Sequence, residues 1–359
     1  MTTWMVLVLV CGLGALGCEN KRKQAPPVET ASGSGSAASV PVHVPLAGKQ
    51  LAAAYLACNE LLSTGKLEDY KTRCITADFL GHPVDDLEVK GADAVIAQFT
   101  AMRAAFSDLR LAPQHVFVHG RTLLAVGLMT GTHDGAMKTA LGEIAPTKKR
   151  IGILFFHKLA VNELDKATEE WWFGDPATLL GQIGALPKGS ASRKLAQGAG
   201  APIIVVAAGD PKERANLEIV KKMNVGFNAH KVTDQLAGFA DTAVEADQAN
   251  ATDTRGKPAI AASHTSFHTA FPDGKLAVET LAVGDHVIQT GAFTGTHTGR
   301  FDGLPATDTK LNFGLAEVIE VADGKIVKLT RFRNGLALLS KLGLMSPPGD
   351  EPSTTKQPH

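Results

Sequence analysis

The predicted strand that ends at Asp175 is the first candidate for acid–base chemistry in this sequence. In the stretch WWFGD at 171–175, strand alternation places Trp171, Phe173 and Asp175 on one face. If that face lines a pocket, the two rings exclude water from Asp175 and raise the pKa of its carboxyl towards the range of a general base. An aspartate directly before Pro176 and a predicted helix is also a good helix N-cap. Both interpretations of Asp175 stay open.

Two histidines stand in a repeated tetrapeptide. The sequence TGTH occurs at 130–133 and again at 294–297, each time at the end of a predicted strand. Its small residues permit a tight bend, and a histidine ring nitrogen at such a bend can hydrogen-bond the local backbone. We therefore expect His133 and His297 to have structural roles, and the repetition to reflect a repeated scaffold.

The elements that position these residues also occur twice. A helical pattern at 48–64 has a counterpart at 216–230, and each is followed by a second helix, a meander of predicted antiparallel strands and a short closing helix. This order indicates an α+β fold class, with a curved antiparallel sheet wrapped around N-terminal helices. We predict domain 1 over 47–188, a linker over 189–212 and domain 2 over 213–346.

Charge and motif content exclude several classes of partner. Lysine and arginine total 36 and aspartate and glutamate also total 36, so the formal net charge is zero. Such a balance provides no basic surface for nucleic acid, and no nucleic-acid partner is expected. The sequence contains no glycine-rich phosphate loop and neither a CxxC nor an HExxH motif. The prediction is therefore that the protein uses no cofactor and no metal.

The N-terminus predicts export and lipid anchoring. Residues 1–18 hold an apolar run too short to span a bilayer, and the run ends in ALGC, which resembles the bacterial lipobox. The resemblance implies cleavage before Cys18, a lipid on its sulfur, and a cell-envelope location on the periplasmic face of a bacterial membrane. Glu19 after the cysteine favours the outer membrane. The alternative is a plain signal peptide or a hydrophobic anchor.

Two further segments are predicted to be disordered, and two cysteines remain after export. Residues 19–46 are rich in lysine, proline, serine and glycine and should form a flexible tether, and 347–359 should be a disordered tail. In an oxidising periplasm, Cys58 and Cys74 form either a disulfide or a pair of buried thiols. The sequence does not decide between these two states.

The C-terminal half carries the motifs of a known family. Residues 271–343 contain GTHxGxFxGxPxT, the hairpin DGKIV and a final LxxLG, and they closely resemble SnoaL-like polyketide cyclases of the nuclear transport factor 2-like superfamily. The N-terminal half retains GTHDG and EEWWFGDPATLLGQIG and resembles the family more loosely. The resemblance implies two cone-shaped domains, each with a deep pocket for a small apolar ligand. It also implies sheet faces that pair, as an intrachain pseudo-dimer or in a homodimer, with two independent domains as the alternative.

The resemblance assigns candidate catalytic residues. Members of the family are thought to use an acidic residue on the last strand as general acid and base, and Asp175 stands at that position in domain 1. His82, in DFLGHPVDD, resembles a histidine at the pocket mouth that would share a proton with Asp175. In domain 2 the equivalent residue is Asn334, which cannot take a proton, so domain 2 is expected to lack the family base.

Other residues complete the predicted sites. Glu317 is an alternative acid in domain 2, although a position on the surface or on the domain face is favoured for it. Glu245 or Asp247 corresponds to the segment that holds His82. The residues predicted to contact the ligand are Trp171, Phe173, Thr330, Phe332 and Asn334.

Two functions are consistent with the sequence. The first is a cofactor-independent cyclase, isomerase or dehydratase step in domain 1, carried by Asp175 and His82 on a small apolar substrate. The second is non-catalytic binding of an apolar ligand or a partner protein at the envelope. A common cavity that holds both side chains would distinguish the first function from the second.

Overall fold

The computed structural model describes residues 43–83, 88–139, 142–186, 190–198, 200–301 and 304–342. Cys18, the predicted signal peptide, most of the predicted tether and the predicted tail lie outside these residues. None of the helices in the described ranges is long and apolar enough to cross a membrane.

Domain 1 combines helices with one large sheet. Its helices are α1 (Gly48–Ser63), α2 (Leu67–Arg73), α3 (Ala92–Ala105) and α4 (Pro176–Ile183). Its strands are β1 (Ile75–Pro83), β2 (Val89–Lys90), β3 (Arg110–His119), β4 (Thr122–Thr132), β5 (Met137–Thr139), β6 (Gly142–Ile144), β7 (Arg150–Val161) and β8 (Ala167–Phe173). The large sheet has the order β2-β1-β8-β7-β4-β3, and β5 and β6 form a separate ribbon.

Domain 2 repeats this plan. Its helices are α5 (Pro211–Asn228), α6 (Val232–Gln235), α7 (Lys257–Ala270) and α8 (Gly335–Lys341). Strand β9 (Ile203–Val206) precedes domain 2 in the chain. The strands of domain 2 are β10 (Phe239–Asp247), β11 (Thr254–Arg255), β12 (Lys275–Val283), β13 (His286–Thr296), β14 (Lys310–Ala322) and β15 (Lys325–Arg333). The sheet order β11-β10-β15-β14-β13-β12 is that of domain 1 with every element replaced by its repeat. The predicted fold class, two α+β domains with antiparallel meanders, is confirmed.

Strand alternation gives each sheet two different faces. The inner face packs on the helices of its own domain; in domain 1, α1 buries Leu51, Tyr55 and Leu62 against it. The outer face is the opposite one. Aligning the two TGTH copies makes β4 and β13 equivalent, and the ladders extend the equivalence, since Ala125 pairs with His157 as Gln289 pairs with Glu317.

The outer faces of the two sheets contact each other. Phe156 of domain 1 and Phe332 of domain 2 have ring centroids 5.8 Å apart. Helix α4 contacts its repeat α8, and strand β3 contacts its repeat β12. Contacts between equivalent elements are those of an approximate twofold relation between the domains. The apolar residues of this interface are here called the interface cluster. They are Phe117, Leu124, Val126, Leu154, Phe156, Trp171, Phe173, Val205, Ala207, Leu281, Val283, Ile288, Ala316, Val318 and Phe332.

The predicted linker is folded onto both domains. Residues Ile203–Val206 form strand β9, which pairs in parallel with β3 and becomes the seventh strand of the domain 1 sheet. Arg193 donates hydrogen bonds to the backbone carbonyls of Asp247 (3.2 Å) and Asn250 (2.9 Å) in domain 2, and it forms an ion pair with Asp253. The segment therefore limits relative motion of the two domains.

A disulfide and two histidines hold local parts of the fold. Cys58 of α1 is bonded to Cys74, which directly precedes β1, so the disulfide is the state present in the structure. In both TGTH copies the histidine is fully buried. His133 Nδ1 lies 3.1 Å from the hydroxyl of Thr147, and His297 Nδ1 lies 3.0 Å from that of Thr307. The predicted structural role of both histidines is confirmed.

Candidate functional site

Domain 2 holds a cavity of about 180 Å³ between its helices and the inner face of its sheet. One wall consists of aromatic rings, and the other consists of charged and amide side chains. The phenylalanines of the ring wall are Phe227, Phe267, Phe293, Phe301 and Phe313. Phe267 packs edge-on against Phe293 with centroids 5.0 Å apart, an arrangement that fixes both rings.

Arg331 lies at the centre of the polar wall. It stands on β15, where Leu329, Arg331 and Arg333 alternate towards the cavity. Its Nε donates to Glu317 Oε1 at 2.6 Å, and its Nη1 donates to Glu245. Burial disfavours the charged guanidinium, but these carboxylates outweigh burial and raise the pKa of Arg331 further above its usual value. Arg331 is therefore a permanent cation.

Glu245 connects Arg331 to a histidine of α7. Burial opposes its ionisation, but Arg331 and His264 together hold the pKa of Glu245 well below its usual range. His264 Nε2 lies 2.7 Å from Glu245 Oε2, and an ionised carboxylate only accepts hydrogen bonds, so Nε2 carries the proton. The other ring nitrogen, Nδ1, is buried and has no hydrogen-bond partner among the described residues.

The remaining carboxylates of the cavity are also paired. Gln289 donates to the second oxygen of Glu317 and is itself held by Asn224 at 2.9 Å. Arg333 Nε donates to Asp247 at 2.7 Å. Within the described part of the chain, no hydrogen bond is made by the Nη2 amino group of Arg331, so this group is available to an oxygen of a bound molecule.

The interior of domain 1 is filled instead. A cavity that lies against its helices measures only about 40 Å³. Trp172 takes the position of Arg331, and the ring of Phe155 lies over Gly127, where an added Cβ would come within 2.3 Å of it. His157, at the position of Glu317, lies 2.8 Å from Glu170 and 3.2 Å from the hydroxyl of Tyr55. Aromatic packing has replaced the binding space.

Asp175 is a helix cap at the contact between the domains. Its carboxylate accepts hydrogen bonds from the backbone N–H (2.8 Å) and the hydroxyl (2.7 Å) of Thr178 in α4, and from the backbone N–H of Gly335 in domain 2 (3.0 Å). Burial raises its pKa, as expected, although these donors oppose the rise. The neighbouring domain contributes to this burial, and Asp175 is not among the residues that line the interdomain cleft, the small cavity of domain 1 or the cavity of domain 2.

His82 lies on the outer face of β1. Its Nε2 is 2.7 Å from Glu169, and its ring stacks on Trp171 at 5.0 Å. It faces a cleft between the domains, whereas Asp175 lies in the α4–α8 contact. The structure therefore does not bring the two predicted catalytic residues into a common cavity, and the acid–base pair expected in domain 1 is not formed.

The predicted ligand contacts lie on the outer faces. Trp171 and Phe173 border the interdomain cleft, Phe332 belongs to the interface cluster, and Thr330 shares the outer face of β15. Asn334 caps α8 by accepting from the N–H of Ala337 at 2.9 Å. On β15, Thr330 and Phe332 are each one position away from the residues that line the domain 2 cavity, so they lie on the opposite face of the sheet. Alternation defines two faces of a strand but not which face meets the domain's own helices.

The structure contradicts the predicted position of Glu317. Its expected position was the surface or the domain face, yet it is 2% exposed and lies in the domain 2 cavity. The signal was present: Glu245 with Asp247, and Arg331 with Arg333, are charged pairs at the two-residue spacing of a single strand face. Charges repeated at that spacing on two predicted strands indicate complementary rows in one cavity.

Two segments match one family model. Residues 52–183 and 218–342 both match the model described as SnoaL-like polyketide cyclase, and together they make up more than half of the chain. None of the curated proteins compared with the chain matches it.

Solved structures are similar to part of this chain. A protein assigned to the SnoaL-like polyketide cyclases from Jannaschia sp. CCS1 is 19% identical, with a TM-score of 0.36, over 38% of this chain and 97% of its own. AclR from Streptomyces galilaeus, assigned as a hydroxylase, is 23% identical, with a TM-score of 0.34, over 37% of this chain and 88% of its own. A protein assigned as a polyketide cyclase from Xanthomonas campestris is 18% identical, with a TM-score of 0.34, over 36% and 98%.

Proposed function

We propose a function from the premise that this chain belongs, in both of its repeats, to the SnoaL-like polyketide cyclase family. Domain 2 binds a small, mostly aromatic molecule that bears a carbonyl oxygen, and it catalyses a cofactor-independent proton transfer of the cyclase or isomerase type. The observation that carries the proposal is the domain 2 cavity, with one wall of phenylalanine rings and an opposite wall centred on Arg331.

Arg331 would stabilise the negative charge that develops on the carbonyl oxygen. Removal of a proton from the neighbouring carbon produces an enolate, and a fixed cationic donor in a site of low polarity stabilises that enolate more than the ketone. Glu317 and Glu245 hold Nε and Nη1, and the Nη2 group is left for this contact. Those two bonds also fix the plane of the guanidinium before the substrate enters.

His264 would receive the proton. In the neutral imidazole, the hydrogen bond from Nε2 to Glu245 leaves Nδ1 as the acceptor. Nδ1 is buried and has no hydrogen-bond partner in the described residues, and the proposal requires that a bound substrate reach it. This is the arrangement of a base oriented by a carboxylate.

The test is hydrogen–deuterium exchange followed by NMR on bicyclic aromatic ketones, with 2-tetralone as the first compound. The full-length chain should accelerate exchange at the carbon next to the carbonyl. His264→Asn should reduce the acceleration at least a hundredfold, the usual contribution of general base catalysis. Arg331→Lys should reduce it by a similar factor, because a point charge cannot keep both carboxylate bonds and the substrate contact. Asp175→Asn is the matched control and should exchange at the wild-type rate.

A second function is favoured by one specific observation. Every carboxylate of the polar wall is already bonded to Arg331 or Arg333, which suits a site that only binds. A ketone that raises the melting temperature without any exchange would favour this receptor function. Exchange that survives in His264→Asn would remove His264 from the proposed mechanism.

We further propose that the protein is held at the periplasmic face of a bacterial membrane, with the outer membrane favoured, through a lipid on Cys18. The Cys58–Cys74 disulfide supports this proposal, because disulfides persist in oxidising compartments. Labelling of cells with an alkyne fatty acid should tag the wild-type protein and leave Cys18→Ser untagged. A Cys18→Ser protein that still carries the label would refute the lipid site.

We also propose that the two domains form an intrachain pseudo-dimer, so that homodimer formation through the same faces is not needed. The interface cluster supports this proposal, since it already buries part of the outer face of each sheet. Light scattering of the purified chain should give the mass of one copy. A dimer that dissociates when Phe332 is replaced by aspartate would contradict the proposal.

A further inference from the structure

A cleft of about 530 Å³ lies between the two domains, outside the cavity to which the proposed function belongs. Its volume falls within the range of pockets that hold small organic ligands. Both domains contribute to its lining, which consists of His82, Pro83, Glu88, Lys158, Trp171, Phe173, Glu279, Thr290, Gly291 and Gly314.

The domain 1 wall is a row of three side chains on adjacent strands. His82 of β1 pairs with Trp171 of β8, which in turn pairs with Lys158 of β7, so the three lie side by side on the outer face. The His82 ring stacks on the indole with an interplanar angle of 18°, and Lys158 Nζ lies 4.7 Å from the centroid of the same indole. Contact from both neighbouring strands holds the indole in place as a rigid aromatic wall.

The approximate twofold relation shows that the cleft is not a consequence of the fold. On the other side of the interface, the position of Lys158 holds Val318 and the position of Gly314 holds Leu154. Both of these residues belong to the interface cluster, so that side is filled. The same backbone therefore carries a packed core on one side and an open cleft on the other.

Gly314 has no structural reason to be a glycine. It lies inside β14 with no positive φ, and an added Cβ would make ordinary contacts, 3.5 Å from Phe173 Cε1 and 3.9 Å from Gly291 O. Glycine inside a strand weakens the strand and often marks a close approach of a ligand. Its effect here is to leave open the space next to Phe173 and Trp171.

Lys158 supplies the fixed charge of the cleft. Its side chain is 12% exposed and forms an ion pair with Glu279, whose side chain is 57% exposed. The lysine is thus held by the protein, whereas the glutamate can leave for solvent at little cost because exposed ion pairs are weak. Of the nearby carboxylates, Glu88 is paired with Lys90 and Glu169 with His82.

We propose that this cleft is a second binding site and that it takes a planar aromatic carboxylate. The ring would lie against Trp171 and Phe173 in the space left by Gly314, and the carboxylate would replace that of Glu279 on Lys158. Because the two walls belong to different domains, the ligand would also hold the domains together.

The experiment uses 2-naphthoate as the probe and indole ¹⁵N NMR of the full-length chain as the readout. The chain has three tryptophans, and a Trp171→Phe variant assigns the signal of the cleft. Naphthoate should shift the Trp171 signal in a saturable manner. The uncharged 2-naphthamide should bind at least tenfold more weakly, because it cannot replace the carboxylate on Lys158.

Gly314→Leu places in domain 2 the side chain that domain 1 carries at the equivalent position, and it should weaken naphthoate binding at least tenfold. Gly314→Ala is the matched control and should bind within about twofold of wild type, since one methyl group makes ordinary contacts.

Lys158→Met should abolish the preference for naphthoate over naphthamide, and this variant keeps the test decisive if Gly314→Leu does not fold. An unshifted Trp171 signal, or equal binding by Gly314→Leu, would overturn the site. Equal binding of naphthoate and naphthamide by wild type would overturn the anionic ligand class. All three outcomes are independent of proton exchange in domain 2.

Discussion

The two domains share a sheet order and a ladder register but have opposite interiors. Domain 1 places Trp172 where domain 2 has Arg331, and His157 where domain 2 has Glu317. The first interior is packed around about 40 Å³ of space, and the second encloses about 180 Å³ with an ion network on one wall. The scaffold thus fixes where a cavity can lie, while a few inward side chains decide whether it exists.

The domains also differ in how they are stabilised. Domain 1 has aromatic packing and a disulfide, both of which stabilise without depending on charge. Domain 2 buries Arg331 among carboxylates, and a buried ion pair compensates its desolvation only while both partners are present. Domain 2 should therefore be the domain that is sensitive to loss of a single charge.

The largest effect is expected from Arg331→Met. The change leaves Glu245 and Glu317 buried without their cation, and breaking a buried pair in this way typically costs about 3–5 kcal/mol of unfolding free energy. Urea unfolding of the full chain, followed by circular dichroism, measures the loss. Lys328→Met on the same strand is the control; it removes a more exposed pair with Glu320 and should cost no more than about 1 kcal/mol. Equal costs for the two variants would refute the central role of Arg331.

A somewhat smaller effect is expected in domain 1 when both disulfide cysteines are replaced by serine. Cys58 and Cys74 are separated by 16 positions, and a disulfide closing a loop of that size stabilises by about 3 kcal/mol. Tryptophan fluorescence reports this domain, because both tryptophans of the described residues, Trp171 and Trp172, lie in it. Addition of a reductant to the wild type should reproduce the shift. A variant that unfolds at the wild-type urea concentration would contradict the prediction.

A third change separates the structural role of Asp175 from a catalytic one. Asp175→Ala removes the cap of α4 and the acceptor of the Gly335 N–H, and it should cost about 1–2 kcal/mol. Asp175→Asn keeps an oxygen acceptor, as Asn334 does in α8, and should cost much less. Both variants should retain proton exchange in domain 2. Loss of exchange in a folded Asp175→Asn protein would restore Asp175 as a catalytic candidate.

The last prediction concerns acid sensitivity, in which the two domains should differ. Burial, followed by the nearby His230 and His264, lowers the pKa of His268 in domain 2 from its usual 6.5 to about 4. The unfolded chain then takes up the proton first, so domain 2 should lose stability as the pH falls from about 6.5 to 4. Glu245, whose folded pKa is depressed below 4.5, should add to the loss at lower pH. Calorimetry across this pH range should show that the melting temperature falls less steeply with decreasing pH in His268→Gln than in wild type.

The sequence predicted the fold because its evidence is distributed over many residues. Two copies of TGTH, two sets of helices and strands in one order, and the hairpin at 323–327 all agree, and an error at any one position would not change the result. The sequence left both states of the two cysteines open. Disulfide formation depends on the distance between the two residues in space, and their separation along the chain does not determine that distance.

The site was not predictable to the same degree, because it depends on the parity of single strands. Trp171, Phe173 and Asp175 do share a face, but that face meets the other domain and the interdomain cleft rather than a cavity inside domain 1. A shift of one residue on β15 separates Thr330 and Phe332 at the interface from Arg331 and Arg333 in the cavity. The charged rows in domain 2 indicate the cavity, whereas the resemblance to the family places the acidic residue in domain 1.

The hydrogen bond from the Gly335 N–H to Asp175 has a consequence for how the two repeats can pair. The residue equivalent to Gly335 in the first repeat is Pro176, which has no N–H to donate. Two copies of the first repeat therefore could not make this bond with each other. The first repeat obtains a donor for its buried carboxylate only from a partner with an N–H at that position, and the second repeat supplies it.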